Sequence, residues 1–357
     1  MGQKMISLKT KLNYTRMQKT TTKFYLGIDV SKSWFDISMI EVINHQKQPM
    51  QTERFNNTAD GIKLCHQWLK KQKVGFNKNS LVVIENTGVY HRLIWSFCSK
   101  HNLPLYIGNA AHIKWSLGIT RGKNDIVDSQ RLCAYSCKEA DDLKVAPALD
   151  IIFMQLKDLM TARTKLLSQL RSTQVYIKEL KLSNDASVQK VLEKAHKAAL
   201  EGLKKSIQLI EAEMQSIIGN HDTIKTNYDL LLSVPGIGSF TAIYLICCTN
   251  NFNGKISGKQ LASYAGVVPF GHTSGSSIKG KNKVHKMANK DLKKLLHLCA
   301  LTTIKYYPEF KDYYERKKAE GKHAMSILNA IRNKIVLRAV AVVNKKTLYV
   351  NNYVKAA

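Results

Sequence analysis

The sequence predicts an α/β layered region followed by an all-α region, and three observations carry that expectation. Up to about residue 148, short hydrophobic runs of strand character alternate with segments of helix length. Two of those runs, Phe24 to Asp29 and Leu81 to Glu85, end on a carboxylate. From Ile151 to about Asp222, glycine appears only twice and proline not at all, while apolar residues recur every three or four positions. The resulting organisation is a basic arm over 1–23, a mixed-sheet domain over 24–148, a long helical hairpin of coiled-coil type over 149–224, and a helical domain over 225–357.

In the first region, Phe24-Tyr25-Leu26-Gly27-Ile28-Asp29 reads as a buried strand, and Val30-Ser31-Lys32-Ser33 turns the chain. Trp34 to Ile40 alternates well enough to be its hairpin partner, and Phe55 belongs to a third strand. A helix is expected from about Ala59 to Lys71, with Ile62, Leu64, Cys65 and Leu69 on one side. Leu81-Val82-Val83-Ile84-Glu85 is the next strand, Val89 to Lys100 a helix, and Leu103 to Ile107 another strand. Arg121-Gly122-Lys123-Asn124 is a polar loop, and a helix restarts at Asp125. Helices covering a mixed sheet satisfy this order.

In the second region, Leu156, Leu159, Leu166, Leu170 and Ile177 form one apolar stripe, and Val188, Val191, Ile207, Ile210, Met214 and Ile217 lie on another. The break at Ser183-Asn184-Asp185 folds them into a hairpin, which pairs either within the chain or between chains. Beyond Leu230 the pattern is helical with polar interruptions. These are Pro235-Gly236-Ile237-Gly238 and a Ser- and Lys-rich loop after Pro269. Further helices are expected from Asn289 and over about Ala324 to Val343.

Charge narrows the class of partner. Lys plus Arg number 55 against 26 Asp plus Glu, a formal charge of +29. A compact chain with that excess repels itself unless a polyanion neutralises it, so nucleic acid is the expected partner. No apolar run reaches the roughly 18 residues of a membrane span, so no membrane partner is expected. The seven cysteines are odd in number and lack zinc-like spacing, as suits reduced thiols in a cytoplasmic protein. The first 23 residues hold six Lys or Arg, no acid and no apolar core of a signal peptide.

Three constellations can carry chemistry. Asp125 and Asp128 are three apart and share a helix face, where they repel unless a cation lies between them. If the strands ending on Asp29 and Glu85 are parallel neighbours, both acids reach the same sheet edge, which gives an all-oxygen donor set for a hard divalent cation. Two such ions about 3.5–4 Å apart clamp the attacking and leaving oxygens of a phosphodiester. The second constellation is Gly236 with Gly238, which is either a tight helix–helix turn or a helix-hairpin-helix-like turn whose backbone N–H groups approach a phosphate. The third is Thr273-Ser274-Gly275-Ser276-Ser277-Ile278-Lys279. It is read either as a basic loop binding phosphates or as the seat of a serine nucleophile; seven lysines and one Asp fall between Lys279 and Lys294.

Six stretches in order resemble the DEDD transposases of bacterial insertion sequences, and more closely the IS-one-ten family, recombinases directed by a bridge RNA. They are Gly27-Ile28-Asp29-Val30-Ser31-Lys32, Glu85-Asn86-Thr87-Gly88, Lys123-Asn124-Asp125-Ile126-Val127-Asp128-Ser129, Pro235-Gly236-Ile237-Gly238, Tyr264-Ala265-Gly266-Val267-Val268-Pro269 and Ser274-Gly275. Ala288 stands where the family usually carries glycine. The resemblance implies an N-terminal RuvC-like (RNase H-like) domain, a coiled-coil segment and a C-terminal helical transposase domain. It implies that Asp29, Glu85, Asp125 and Asp128 bind Mg2+, with Mn2+ as a substitute, and that Ser274 attacks DNA to form a phosphoserine link, with Ser276 in reserve. Expected partners are donor and target double-stranded DNA, a non-coding guide RNA, and further copies of the chain in a homodimer or homotetramer. The expected location is the bacterial cytoplasm, at the nucleoid when bound to DNA. Candidate nucleic-acid contacts are Lys32, Arg121, Lys123, Gly236, Gly238, Lys279, Lys281, Lys283, Lys286 and Lys290. Two alternatives need less of the chain. One is a two-metal endonuclease or junction resolvase that uses water; the other is a non-catalytic nucleic-acid scaffold.

Overall fold

A computed structural model describes residues 22–118, 125–180, 182, 185–254, 256–274, 278–284 and 287–351. The described chain separates into two compact units that meet in sequence at Leu149 and Asp150. Most of the basic arm, together with Arg121, Lys123, Ser276 and Lys286, lies outside the described residues.

In the first unit, β1 (Thr22–Val30) pairs antiparallel with β2 (Trp34–Ile43), and β2 pairs with the short β3 (Gln46–Lys47) and with β4 (Gln51–Asn56). On its other edge β1 runs parallel to β5 (Ser80–Glu85), and β5 runs parallel to β6 (Leu105–Gly108). The sheet is therefore mixed, as the alternation of strands and helices predicts. Between the strands lie α1 (Ala59–Lys71) and α2 (Arg92–Lys100); α3 (Ala110–Leu117) and α4 (Asp125–Glu139) follow β6. β3 and α3 are additions to the sequence reading.

The period of two in β1 separates its faces. Leu26 and Ile28 join Phe35 and Ile37 of β2 and Cys65 and Leu69 of α1 in one core. Tyr25, on the opposite face, packs with Leu81, Val83 and the α4 residues Leu132 and Tyr135. Helices therefore cover both faces. The start of α1 is set by Thr58, whose hydroxyl accepts from the Gly61 N–H at 3.1 Å. Helix α2 starts at Arg92 rather than Val89, because a turn over Val89 to His91 precedes it.

The second unit opens with α5 (Ile151–Leu180) and α6 (Ala186–Gly219), an antiparallel pair held by Arg163 to Glu211 at 2.6 Å and by the ring contact of Tyr176 with His196. The predicted stripes are unevenly covered. Leu156, Ile207 and Met214 are buried, whereas Val188 and Val191 are exposed. Six further helices follow: α7 (Asp222–Leu232), α8 (Ser239–Cys248), α9 (Gly258–Tyr264), α10 (Lys290–Tyr306), α11 (Pro308–Ala319) and α12 (Ala324–Lys345). Leu231, Ile243, Leu261, Leu296, Phe310 and Ile331 centre their shared core.

One expectation is corrected here. The Ser- and Lys-rich segment after Val268 is not a plain loop but an antiparallel hairpin of β7 (Pro269–Ser274) and β8 (Ile278–Val284). Its β-branched and aromatic residues are diluted by Gly, Ser and Lys, which hides the period of two. No described helix is long and apolar enough to cross a membrane.

Candidate active site

Parallel pairing of β1 with β5 puts Ile28 opposite Ile84, so Asp29 and Glu85 are the next residues along two adjacent strands. Both are part-buried. The loops that follow them are tied together by Asn57, whose side-chain amide donates to the Ser31 carbonyl and the Tyr90 carbonyl, both at 2.9 Å. Lys32 is exposed in the turn directly after Asp29.

Helix α4 reaches the same edge by lying against β1. The Ser129 hydroxyl meets that of Ser38, the partner of Gly27, at 2.8 Å. One turn on, the Cys133 thiol donates to the Tyr25 carbonyl at 3.1 Å, and Ser136 donates to Leu81 at 3.2 Å. The helix thus descends β1 as its numbering rises, and its first turn, with Asp125 and Asp128, lies at the end where β1 and β5 stop. Glycine at 27 makes this approach possible, because a Cβ there would collide with the backbone of Ser129 and Cys133.

Register and helix direction therefore bring the backbone positions of Asp29, Glu85, Asp125 and Asp128 to one sheet edge. Asp128 is engaged by Arg131 at 2.8 Å, and the Asp125 side chain lies outside the description. Among the described residues, no three His, Cys, Asp or Glu side chains stand close enough to hold a metal. The donor chemistry, carboxylate oxygen throughout, suits a hard divalent cation.

A fifth carboxylate escaped the sequence reading. Asp36 lies directly across from Asp29 in the β1–β2 register and is almost fully buried. Arg54, its cross-strand partner on β4, neutralises it through a bidentate pair of 2.8 Å bonds. The Arg54 guanidinium also covers the Trp34 ring at 5.2 Å. Alternation in β2 and β4 was the available signal, since an acid and a base on facing strands pair only in one register.

In the second unit, Ser274 ends β7 opposite Ile278; its side chain and those of Lys279, Lys281 and Lys283 lie outside the description. The base of the hairpin is clamped. Asn289 donates its backbone N–H to the Tyr264 carbonyl at 2.9 Å and its side-chain amide to the Tyr264 hydroxyl at 2.8 Å. The Tyr244 hydroxyl donates to the Asn289 Oδ1 at 2.9 Å. Burial pushes the Tyr244 phenol up to about 12, so it stays a donor at neutral pH. Ala288 fits beside this clamp because Gly266, at φ +64°, has no Cβ to meet it. Lys290 is exposed in the first turn of α10.

The two glycines between α7 and α8 differ. Gly236 sits at φ +83°, and a Cβ there would stand 2.7 Å from the Cys299 carbonyl oxygen, so packing against α10 explains it. Gly238 is the N-cap of α8, is exposed and has open space around it. Of the pair, only Gly238 borders open space, and its backbone N–H turns toward the Cys299 thiol.

A mixed sheet consistent with a RuvC-like domain, followed by a helical unit, sets the class of the molecule. A DEDD transposase family model of IS110 type, described as "Transposase", matches residues 26–181, and the model of the "Transposase IS116/IS110/IS902 family" matches residues 228–315. The chain is similar to the pilin gene-inverting protein of Moraxella bovis, 26% identical over 341 residues that cover 91% of this chain and 97% of that protein. It is 29% identical to the insertion element IS110 uncharacterized 43.6 kDa protein of Streptomyces coelicolor, over 39% of this chain and 33% of that protein. It is 26% identical to the transposase for insertion sequence element IS1328 of Yersinia enterocolitica, over 41% of this chain and 43% of that protein. The chain belongs to the IS110 (IS-one-ten) family of DEDD transposases and is a DNA transposase/recombinase. Membership implies DNA substrates and the use of a divalent metal.

Proposed function

We propose that the protein is an RNA-guided recombinase that cuts and rejoins donor and target DNA through a covalent phosphoserine intermediate. The observation that carries this reading is the placement of Asp29 and Glu85 one residue past the Ile28–Ile84 pair of the parallel strands β1 and β5, at the edge reached by the first turn of α4. Asp29, Glu85, Asp125 and Asp128 would hold Mg2+, which supplies Lewis-acid stabilisation of charge building on phosphate oxygens. Ser274 is the nucleophile and Ser276 the reserve. The serine Oγ forms a bond to phosphorus as one ester P–O bond of the DNA breaks; the hydroxyl proton passes to solvent, and the leaving oxygen takes one up. Attack by a DNA hydroxyl on the phosphoserine reverses those bonds and joins the new strands, so the phosphodiester is conserved without an external energy source.

Sequence choice is delegated to a guide RNA, and the lysines near the hairpin, Lys279, Lys281, Lys283, Lys286 and Lys290, hold backbone phosphates. The working assembly is a homodimer or homotetramer. The exposed Val188 and Val191 stripe on α6 supports pairing between copies. Inversion of a pilin gene, named for the Moraxella bovis relative, is a reaction of the same kind, in which strands are cut and rejoined.

The test combines protein, guide RNA, Mg2+ and duplex DNA and reads a denaturing gel for a protein–DNA adduct. Wild type is expected to give an adduct that vanishes in Ser274→Ala, while Asp29→Asn and Glu85→Gln abolish cutting without abolishing DNA binding. Cleavage by wild type and Ser274→Ala alike, with no adduct in either, would replace this reading with a water-using nuclease. Absence of any metal-dependent cutting with a verified guide would leave a scaffold.

A further inference from the structure

In the second unit a cavity of about 1270 Å3 lies between α5 and the group α8, α9 and α10. It exceeds the usual small-molecule pocket of roughly 300–1,000 Å3. Its two walls differ in chemistry. The α5 wall presents Lys157, Lys165 and Arg171 against a single acid, Glu179, with Met160, Leu167 and Val175 between them. The opposite wall presents the rings of Tyr244 and Tyr264 with Leu295 and Leu298, and Asp291 and Lys294 supply one charge of each sign. Tyr264 and Leu298 are about half exposed. Lys157, Lys165, Arg171 and Lys294 are exposed and have no carboxylate partner among the described residues.

We propose that this cleft binds an unpaired stretch of nucleic acid, with its phosphates along α5 and its bases against Tyr244 and Tyr264. A single strand is the ligand with one anionic edge and one aromatic edge, and such sites combine a cationic track with stacking rings. A duplex hides its base faces and meets proteins on its outer phosphates, so it has no use for the apolar wall. A second copy of this chain would have to meet Lys157, Lys165, Arg171 and Lys294 with an acidic face, in a sequence where 55 Lys and Arg stand against 26 Asp and Glu. The cleft also adjoins the serine hairpin, because Tyr264 and Asn289, which clamp the base of that hairpin, both line it. Placement beside the cutting site rests on the proposed role of Ser274; binding itself does not.

The experiment uses full-length Ser274→Ala protein without added metal, so that its outcome is independent of the serine chemistry. Twelve-nucleotide DNA and RNA probes carrying 5-iodouracil are irradiated with the protein, and crosslinked peptides are mapped by mass spectrometry. Crosslinks are expected on peptides bearing Tyr244 or Tyr264, and the stronger of the two probes tells whether the strand is DNA or RNA. In anisotropy titrations, Lys165→Glu/Arg171→Glu should weaken single-strand binding by about tenfold or more and binding of a matched duplex by no more than about twofold. Both substitutions lie on an exposed helix face, and a circular dichroism melt checks that the fold is kept. Crosslinks confined to other peptides, or equal losses for single strand and duplex, overturn the proposal. So does a change in sedimentation of the double variant with no crosslink in the cleft, which would assign the surface to contact between copies.

Discussion

Gly27 of β1 and Cys133 of α4 touch backbone to backbone, with no room for a side chain at residue 27. That contact sets the height of α4 above the sheet and so the distance from its first turn to Asp29. Gly27→Ala is expected to push the helix outward, costing about 1–3 kcal/mol as an overpacked contact does. A urea titration should show the lower midpoint with an unchanged slope, and metal-dependent cutting should fall further than stability does. Full activity at wild-type stability would show that the position of α4 is not tuned by this contact.

The carboxylate edge was legible in the sequence because its signals are local. Hydrophobic runs that end on Asp29 and Glu85 read as strands, and the i, i+3 spacing of Asp125 and Asp128 needs no tertiary information. Asp36 was not legible as a member of that edge, since its relation to Asp29 depends on antiparallel register and its neutralisation by Arg54 on a third strand. The β7–β8 hairpin was missed for a different reason. Its residues carry little β propensity, and strand pairing there is fixed by the clamp of Tyr264 and Asn289 at its base. The glycines at 236 and 238 look alike in sequence, and only the packing against α10 separates them.

Arg54 is expected to matter beyond its own strand. Arg54→Ala leaves the buried Asp36 carboxylate without its bidentate partner, opposite Asp29. Loss of a charged hydrogen-bond partner costs about 1–3 kcal/mol, and the half-exposed Arg54 places the effect toward the lower end. Adding Asp36→Asn removes the uncompensated charge. The double variant should therefore recover part of both the stability and the cutting activity lost in Arg54→Ala. Equal behaviour of single and double variants in thermal melts would refute a charge-pairing role.

Gly236 and Gly238 can be separated by the same substitution. Gly236→Ala meets both a positive φ and the Cys299 carbonyl, so it should lower stability by at least about 1 kcal/mol. Gly238→Ala occupies open space and should melt like wild type. If the turn contacts DNA phosphate through Gly238, the second variant loses affinity in a salt-dependent titration while keeping its fold. Unchanged affinity in Gly238→Ala would assign the motif to packing alone.

Stability should fall on mild acidification, and the histidines say where. Burial lowers the pKa of His66, His91 and His297 from the ordinary value of 6.5. His91 is 4% exposed, and the Arg92 charge beside it acts in the same direction. Below pH 6.5 the unfolded chain binds protons that the folded chain refuses, so stability is full above that value and is lost as pH falls toward the folded pKa. Each such histidine contributes a slope of up to about 1.4 kcal/mol per pH unit. The carboxylates with lowered pKa values, Asp60, Glu139, Asp185 and Glu320, start from 3.8 or 4.5 and so titrate below this window. Urea titrations at pH 7.5, 6.5 and 5.5 should show a constant free energy over the first interval and a drop over the second. His91→Leu should make that drop shallower, and an identical pH profile in the variant would show that His91 is protonated in the folded protein as readily as in the unfolded chain.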